Sequence, residues 1–233
     1  MTIKKEWLGN CWAESYCKGY PHKCGYACIG YAQLDNVYRL SGMPERYQRD
    51  VALNLAGDDG EKDRDAYLFL RDFMLDGSNI DGGKGLYIVS KYKGNGKTAW
   101  ACKIMSEHFK RIALTNNLRC RGVYINVPTF LQELRLSMDK QSDAVEAKLE
   151  HIESADLVIW DDIGTENPSA WVRERLYSFI NHRYANNLSQ VFTSNIYLEE
   201  LANERYMGER IVSRIAGQCT IVEFLQKDRR ADA

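Results

Sequence analysis

Residues 85–100 read GLYIVSKYKGNGKTAW. Leu86 to Ser90 is a short apolar strand. The segment Thr98 to Ala113 carries Ala101, Ile104, Met105, Phe109 and Ile112 at helical spacing. Between them lies Lys91-Tyr92-Lys93-Gly94-Asn95-Gly96-Lys97-Thr98, a glycine-bearing turn from strand to helix, which is the context of a phosphate-binding loop. Glycines let backbone N–H groups converge on phosphate oxygens, and the helix N-terminus adds the positive end of its dipole. The stretch therefore predicts ATP binding by Lys93, Gly94, Asn95, Gly96, Lys97 and Thr98. Lys97 would reach the β and γ phosphates, and the Thr98 hydroxyl would hold Mg²⁺. The usual first glycine is Lys91 here, so a side chain must be accommodated without positive φ, or the turn is altered.

Working outward, Leu157-Val158-Ile159-Trp160 is an apolar strand that ends in Asp161-Asp162. Carboxylates at the carboxyl edge of an open sheet lie where such folds bind ligands. Asp161 is expected to bind Mg²⁺, largely through water, and Asp162 to orient or deprotonate an attacking water. Gln190 to Thr193 is a further strand that runs into Ser194-Asn195, and the Asn195 amide is placed to position the water or sense the γ-phosphate. Residues 208–215, GERIVSRI, set Arg210 and Arg214 at i, i+4 on one helical face, and either is a candidate arginine finger for a neighbouring subunit's site. Val123 to Val127 and Thr220 to Phe224 complete a set of five strands. Helices are expected over 61–75, from Pro128, over 144–152, 170–184, 198–203 and 209–215. Alternating helices and wholly apolar strands imply an α/β fold with a parallel sheet covered on both faces.

Composition agrees with a globular chain: 233 residues, 45% hydrophobic, 27% charged and a net charge of -1. That excludes a disordered chain and a polycation, so nucleic-acid binding requires a local patch. No apolar run approaches the ~18 residues of a membrane span, and the first residues lack the core of a signal peptide. A cytoplasmic protein is expected, its seven cysteines being thiols or metal ligands. Cys11, Cys17, Cys24 and Cys28 fall close together, and four thiolates suit a tetrahedral Zn²⁺ that folds a module with little core of its own. His22 is a possible substitute ligand, a [4Fe–4S] cluster is the alternative metal group, and four thiols in a small core is the bland one. The expected organisation is a Cys-rich module over 1–40, a linker over 41–60 and an ATPase domain over 61–233.

The four motifs in this order resemble the AAA+ ATPases, and specifically helicase loaders of the DnaC/DnaI kind, phage versions included. The stretches that carry the resemblance are GLYIVSKYKGNGKTAW, LVIWDDIG, VFTSN and GERIVSRI with a terminal strand and Asp228-Arg229-Arg230. The resemblance implies a P-loop AAA+ core with sheet order 5-1-4-3-2 and no C-terminal helical lid. It implies ATP/ADP and Mg²⁺ as ligands and self-association through an arginine finger, for which Arg214 matches best and Arg210 second; Lys91 in place of the first loop glycine points to slow, switch-like hydrolysis. It implies a hexameric replicative DNA helicase as partner, gripped by the N-terminal zinc module and delivered to single-stranded DNA at replication initiation. For a phage-encoded chain the setting is the host cytoplasm. In this family a helical insertion after the second strand touches single-stranded DNA. Here that insertion is 128–152, with Thr129, Phe130 and Arg135 as candidate contacts, while an ordinary amphipathic crossover helix is the plain alternative. The competing readings are an IstB-like transposition helper on duplex DNA and a P-loop small-molecule kinase.

Overall fold

A computed structural model describes residues 28–48, 62–115, 119–137 and 143–226, with Cys11 and Cys17. Five strands, β1 (Gly85–Val89), β2 (Gly122–Asn126), β3 (Leu157–Asp161), β4 (Ser189–Ser194) and β5 (Cys219–Glu223), form one sheet in the order β2-β3-β4-β1-β5. Every pair is parallel. This is the expected order, 5-1-4-3-2, counted from the opposite edge.

Period-two alternation divides each strand between two cores. Leu86, Ile88, Leu157, Ile159 and Val191 face one way, and Tyr87, Val89, Val158, Trp160 and Phe192 face the other. The first face is covered by α1 (Ile29–Ser41), α2 (Arg64–Leu75) and α4 (Lys97–Ile112). On the second lie α5 (Val127–Ser137), α6 (Asp143–Ser154), α7 (Ala170–Ala185), α8 (Leu198–Leu201) and α9 (Glu209–Gln218). The remaining helix, α3 (Ser78–Asp81), is one turn in the expected loop before β1. The central strands β1, β3 and β4 are buried along their whole length, whereas β5 at the edge exposes Thr220, Ile221 and Glu223.

Helix α1 falls inside the 1–40 stretch expected to be a separate Cys-rich module, yet it packs on the sheet. Leu34, Val37 and Tyr38 join the α4 core, the Tyr38 ring meeting Phe109 edge-on at 5.3 Å. The helix ends at Gly42, whose φ of 69° is the left-handed C-terminal cap that glycine adopts without strain. Of the apolar positions expected to be buried in α2, Tyr67, Leu70 and Phe73 are, Met74 is half-buried and Leu68 turns outward. The rest of 1–40 beyond Cys11 and Cys17, with Cys24 and His22, lies outside the described residues, as do Lys140 and 228–230.

Two expectations for 128–152 divide. Thr129 and Arg135 are exposed on α5. Phe130 is not a platform for a base: only 1% exposed, its ring packs beside Trp160 and Phe179 at centroid distances of 6.3 and 6.2 Å. Its neighbours Leu131 and Leu134 complete the apolar stripe of an amphipathic helix, and burial of that stripe decides the ring's position.

Candidate nucleotide site

The phosphate loop leaves β1 at Val89 and enters α4 at Lys97. Gly94 and Gly96 take φ of 74° and 93°, in the left-handed region where a side chain is strained. A Cβ added at Gly96 would meet nothing within 4 Å, so the loop opens there onto space that a ligand can fill. Lys91 is not among the described residues with positive φ. Its exposed side chain lies over the Tyr197 ring, with Nζ 5.2 Å from the centroid. The missing first glycine is thus absorbed without strain. Asn95 braces the loop: its buried amide donates to Ser90 Oγ (2.5 Å) and to the Gln226 carbonyl (3.3 Å). Ser90 Oγ in turn donates to the Phe224 carbonyl at 2.6 Å. Lys97, only 8% exposed, donates to the Tyr92 carbonyl (2.9 Å) and Asn95 Oδ1 (3.2 Å).

Asp161 ends β3 on the α4 face, beside Asn126 in the β2–β3 register. Its carboxylate accepts three hydroxyls. Oδ1 takes Thr98 Oγ1 and Thr193 Oγ1, each at 2.7 Å, and Oδ2 takes the Tyr124 phenol at 2.6 Å. Burial, followed by the charge of Asp161, pushes the Tyr124 phenol well above its usual range, so it remains a donor. Asp162 sits just beyond the strand at φ 62°, a conformation a non-glycine residue holds at a cost of roughly 1–3 kcal/mol and one that clusters at functional sites. Two bonds hold it there: its N–H donates to Thr193 Oγ1 (2.9 Å), and Asn195 Nδ2 donates to its Oδ1 (2.7 Å). Burial, then repulsion from Asp161, raises the Asp162 pKa, and the charges of Lys97 and Lys93 oppose the rise.

These groups surround a cleft of about 480 Å³ at the carboxyl edge of the sheet. The loop residues from Lys93 to Thr98 form one wall, and Asp161, Asp162, Thr193 and Asn195 form the floor. The donor set fits a magnesium triphosphate: a loop of convergent amides, a nearly buried ammonium, and a hydroxyl already touching the first carboxylate. Sequence reasoning did not find Tyr124, Thr193, Arg46 or Tyr47, all of which also line the cleft. The one visible signal for Tyr124 was a hydroxyl near the carboxyl end of an otherwise apolar strand.

Arg210 and Arg214 are not among the residues lining this cleft. They lie on α9 against α7. Arg210 pairs with Glu174 (2.8 Å) and stacks over the Tyr177 ring (3.9 Å). Arg214 Nε donates to Asn181 Oδ1 at 2.7 Å. Cys17 and Cys28 are half-buried, and no group of three or more His, Cys, Asp or Glu among the described residues is arranged to hold a metal.

No family model matches the chain. Over 140 residues, 60% of this chain and 42% of the relative, it is 29% identical to the replicative helicase loader DnaI of Bacillus subtilis (strain 168). The chain therefore spans about two fifths of that curated relative's length. Among solved structures, DnaI superposes with a TM-score of 0.62 at 28% identity, covering 78% of this chain and 94% of that one. The DnaC helicase loader superposes with a TM-score of 0.61 at 24% identity, covering 78% and 99%.

Proposed function

We infer, from a chain homologous in sequence and in structure to the DnaI/DnaC helicase loaders and built on their AAA+ fold, that it is an ATP-dependent loader of a replicative DNA helicase. The observation that carries this reading is the single cleft in which the phosphate loop, Thr98, the Asp161–Asp162 pair and Asn195 meet. Loop amides and Lys97 hold the phosphates. Thr98 and Asp161 hold Mg²⁺, which when bound neutralises charge on the β and γ phosphates. Asp162, steadied by Asn195, orients the attacking water and takes its proton. Arg214, with Arg210 as second candidate, completes the site of a neighbouring subunit from α9. In the monomer Arg210 rests on Glu174 and Tyr177, surface partners from which an exposed side chain is readily released, while half-buried Arg214 is held by Asn181.

The partners follow from the same reading: a hexameric helicase, single-stranded DNA met by Thr129 and Arg135, and further copies of the chain. None of the described helices is long and apolar enough to cross a membrane, in keeping with work in the cytoplasm. The ends of the reading are the domain scheme, with a helicase-binding head ahead of the ATPase, and the Cys11, Cys17, Cys24 and Cys28 set, whose spacing suits Zn²⁺. Purified chain is expected to carry about one zinc per molecule by mass spectrometry, and Cys24→Ser to lose it. Metal-free wild type removes the zinc from the reading.

The decisive experiment is loading of the cognate helicase on single-stranded DNA with ATP, read as strand unwinding against helicase alone. Wild type should accelerate unwinding. Asp161→Asn should lose the ATP dependence, and Arg214→Ala should lose turnover while still binding ATP. A chain that captures no helicase and instead binds duplex DNA tightly would overturn the loader in favour of a transposition helper.

A further inference from the structure

The described chain just after α1, residues 42–48, packs against the domain. Beyond Gly42, the Met43 N–H donates to Ser41 Oγ (3.1 Å), and Ser41 Oγ donates to the Tyr38 carbonyl (2.8 Å). Met43 is buried against α4, and Gln48 Nε2 donates back to the Met43 carbonyl at 2.8 Å. These bonds fix a short 3₁₀ turn, Glu45–Tyr47, at the mouth of the cleft. There Arg46 and Tyr47 line the same cleft as Lys93, Lys97 and the two aspartates. The Arg46 guanidinium lies 4.6 Å from the centroid of the Tyr47 ring, and among the described residues no carboxylate pairs with it. It is a cation held in place by stacking and left with its hydrogen-bonding fork unused by an acid. An anion held in this cleft would have Arg46 within its lining as well as the loop lysines.

We propose that Arg46 grips the terminal phosphate of ATP in cis, so that the segment 43–48, and α1 fixed to it, responds to whether the cleft holds ATP or ADP. The inference rests on the ATP reading of the cleft and adds a residue to it. A guanidinium fork matches phosphate oxygens two at a time, and ADP lacks the group it would hold. Among the described residues, Arg46 is also the one arginine lining the cleft of its own subunit. That separates its part from any arginine that a neighbour inserts.

The test is titration of wild type, Arg46→Ala and Arg46→Lys with fluorescent ATP and ADP analogues in Mg²⁺. The monomeric chain is used, with melting temperature as the folding control. Arg46→Ala should weaken ATP about tenfold, the ordinary worth of one charge-assisted hydrogen bond, and ADP by less than about twofold. Arg46→Lys should recover only part of the loss, because an ammonium lacks the fork. If both nucleotides bind wild type and the ATP-to-ADP affinity ratio of Arg46→Ala stays within about twofold of it, the proposal falls and the ATP site stands. Wild type that binds neither nucleotide overturns the site itself, and the Arg46 proposal with it.

Discussion

Asp162→Asn is expected to cut ATP turnover by at least about a hundredfold while leaving ATP bound, because a general base accounts for roughly that much of a hydrolytic rate. The asparagine Oδ1 can still accept from Asn195, so the floor of the cleft keeps its shape. The same substitution should make the protein more stable at neutral pH. Folding raises the pKa of Asp162, mainly by burial and then by repulsion from Asp161. A raised carboxyl adds stability that is fully present below the unfolded pKa and is lost as pH rises through the folded one. Wild type above that window therefore keeps an ionised acid that the fold disfavours, and asparagine removes it. Thermal melts of the two proteins should separate at pH 7 and converge below about pH 4, where the unfolded aspartate also protonates. A variant with wild-type turnover would take Asp162 out of the chemistry. Equal melts at pH 7 would show that keeping Asp162 ionised costs the fold nothing. Stability gained where activity is lost is the usual mark of a functional residue.

The second large effect lies on the other side of the sheet. Arg183 on α7 is fully buried, and four backbone carbonyls receive its guanidinium. Nη1 donates to Ile152 (2.7 Å) and Ala155 (2.8 Å), and Nη2 to Ser189 (2.7 Å) and Asp156 (3.3 Å). Ile152 and Ala155 mark the C-terminal end of α6, where helix carbonyls lack partners and the dipole is negative. One side chain thus ties α6 to the starts of β3 and β4. Burial pulls its pKa down to about 9, so it remains charged at neutral pH. Arg183→Met keeps most of the volume but strands these carbonyls without water, a loss of about 3–5 kcal/mol. The melting temperature should fall by about 10 °C or more for a chain of this size. Arg183→Lys should recover little, because one ammonium cannot span four acceptors. A urea midpoint for Arg183→Met equal to wild type would show that the network contributes nothing.

Why these features differ in legibility follows from what each residue does. The strands β1 and β3 carry unbroken apolar runs, and β4 carries Val191 and Phe192 at its centre, so their existence and their ends could be read within a residue or two. The phosphate loop and the aspartate pair announce themselves because phosphate and magnesium demand particular residue types at strand ends. Sheet order is different: alternation alone implies a parallel sheet, and only the resemblance supplied the sequence of strands. Arg183 was invisible, since an arginine in a helix reads as a solvated face until the carbonyls it serves are placed. Phe130 shows the reverse error. Its helical neighbours Leu131 and Leu134 marked a buried stripe, the amphipathic alternative that stood beside the expected DNA contact. Helix α1 escaped because the cysteines ahead of it drew the boundary, although Leu34, Val37 and Tyr38 already carried its spacing.

The register of β1 has a consequence for biosynthesis. Leu86 pairs with Val191 and Gly85 with Cys219, and the hydroxyl that steadies the phosphate loop, Ser90, reaches a carbonyl 134 residues further along the chain. Contacts this distant form late and slowly. A nascent polypeptide that has emerged only as far as β3 holds every loop residue but none of the strands that flank β1. It should be blind to ATP, and the ribosome must release nearly the whole domain before the cleft exists.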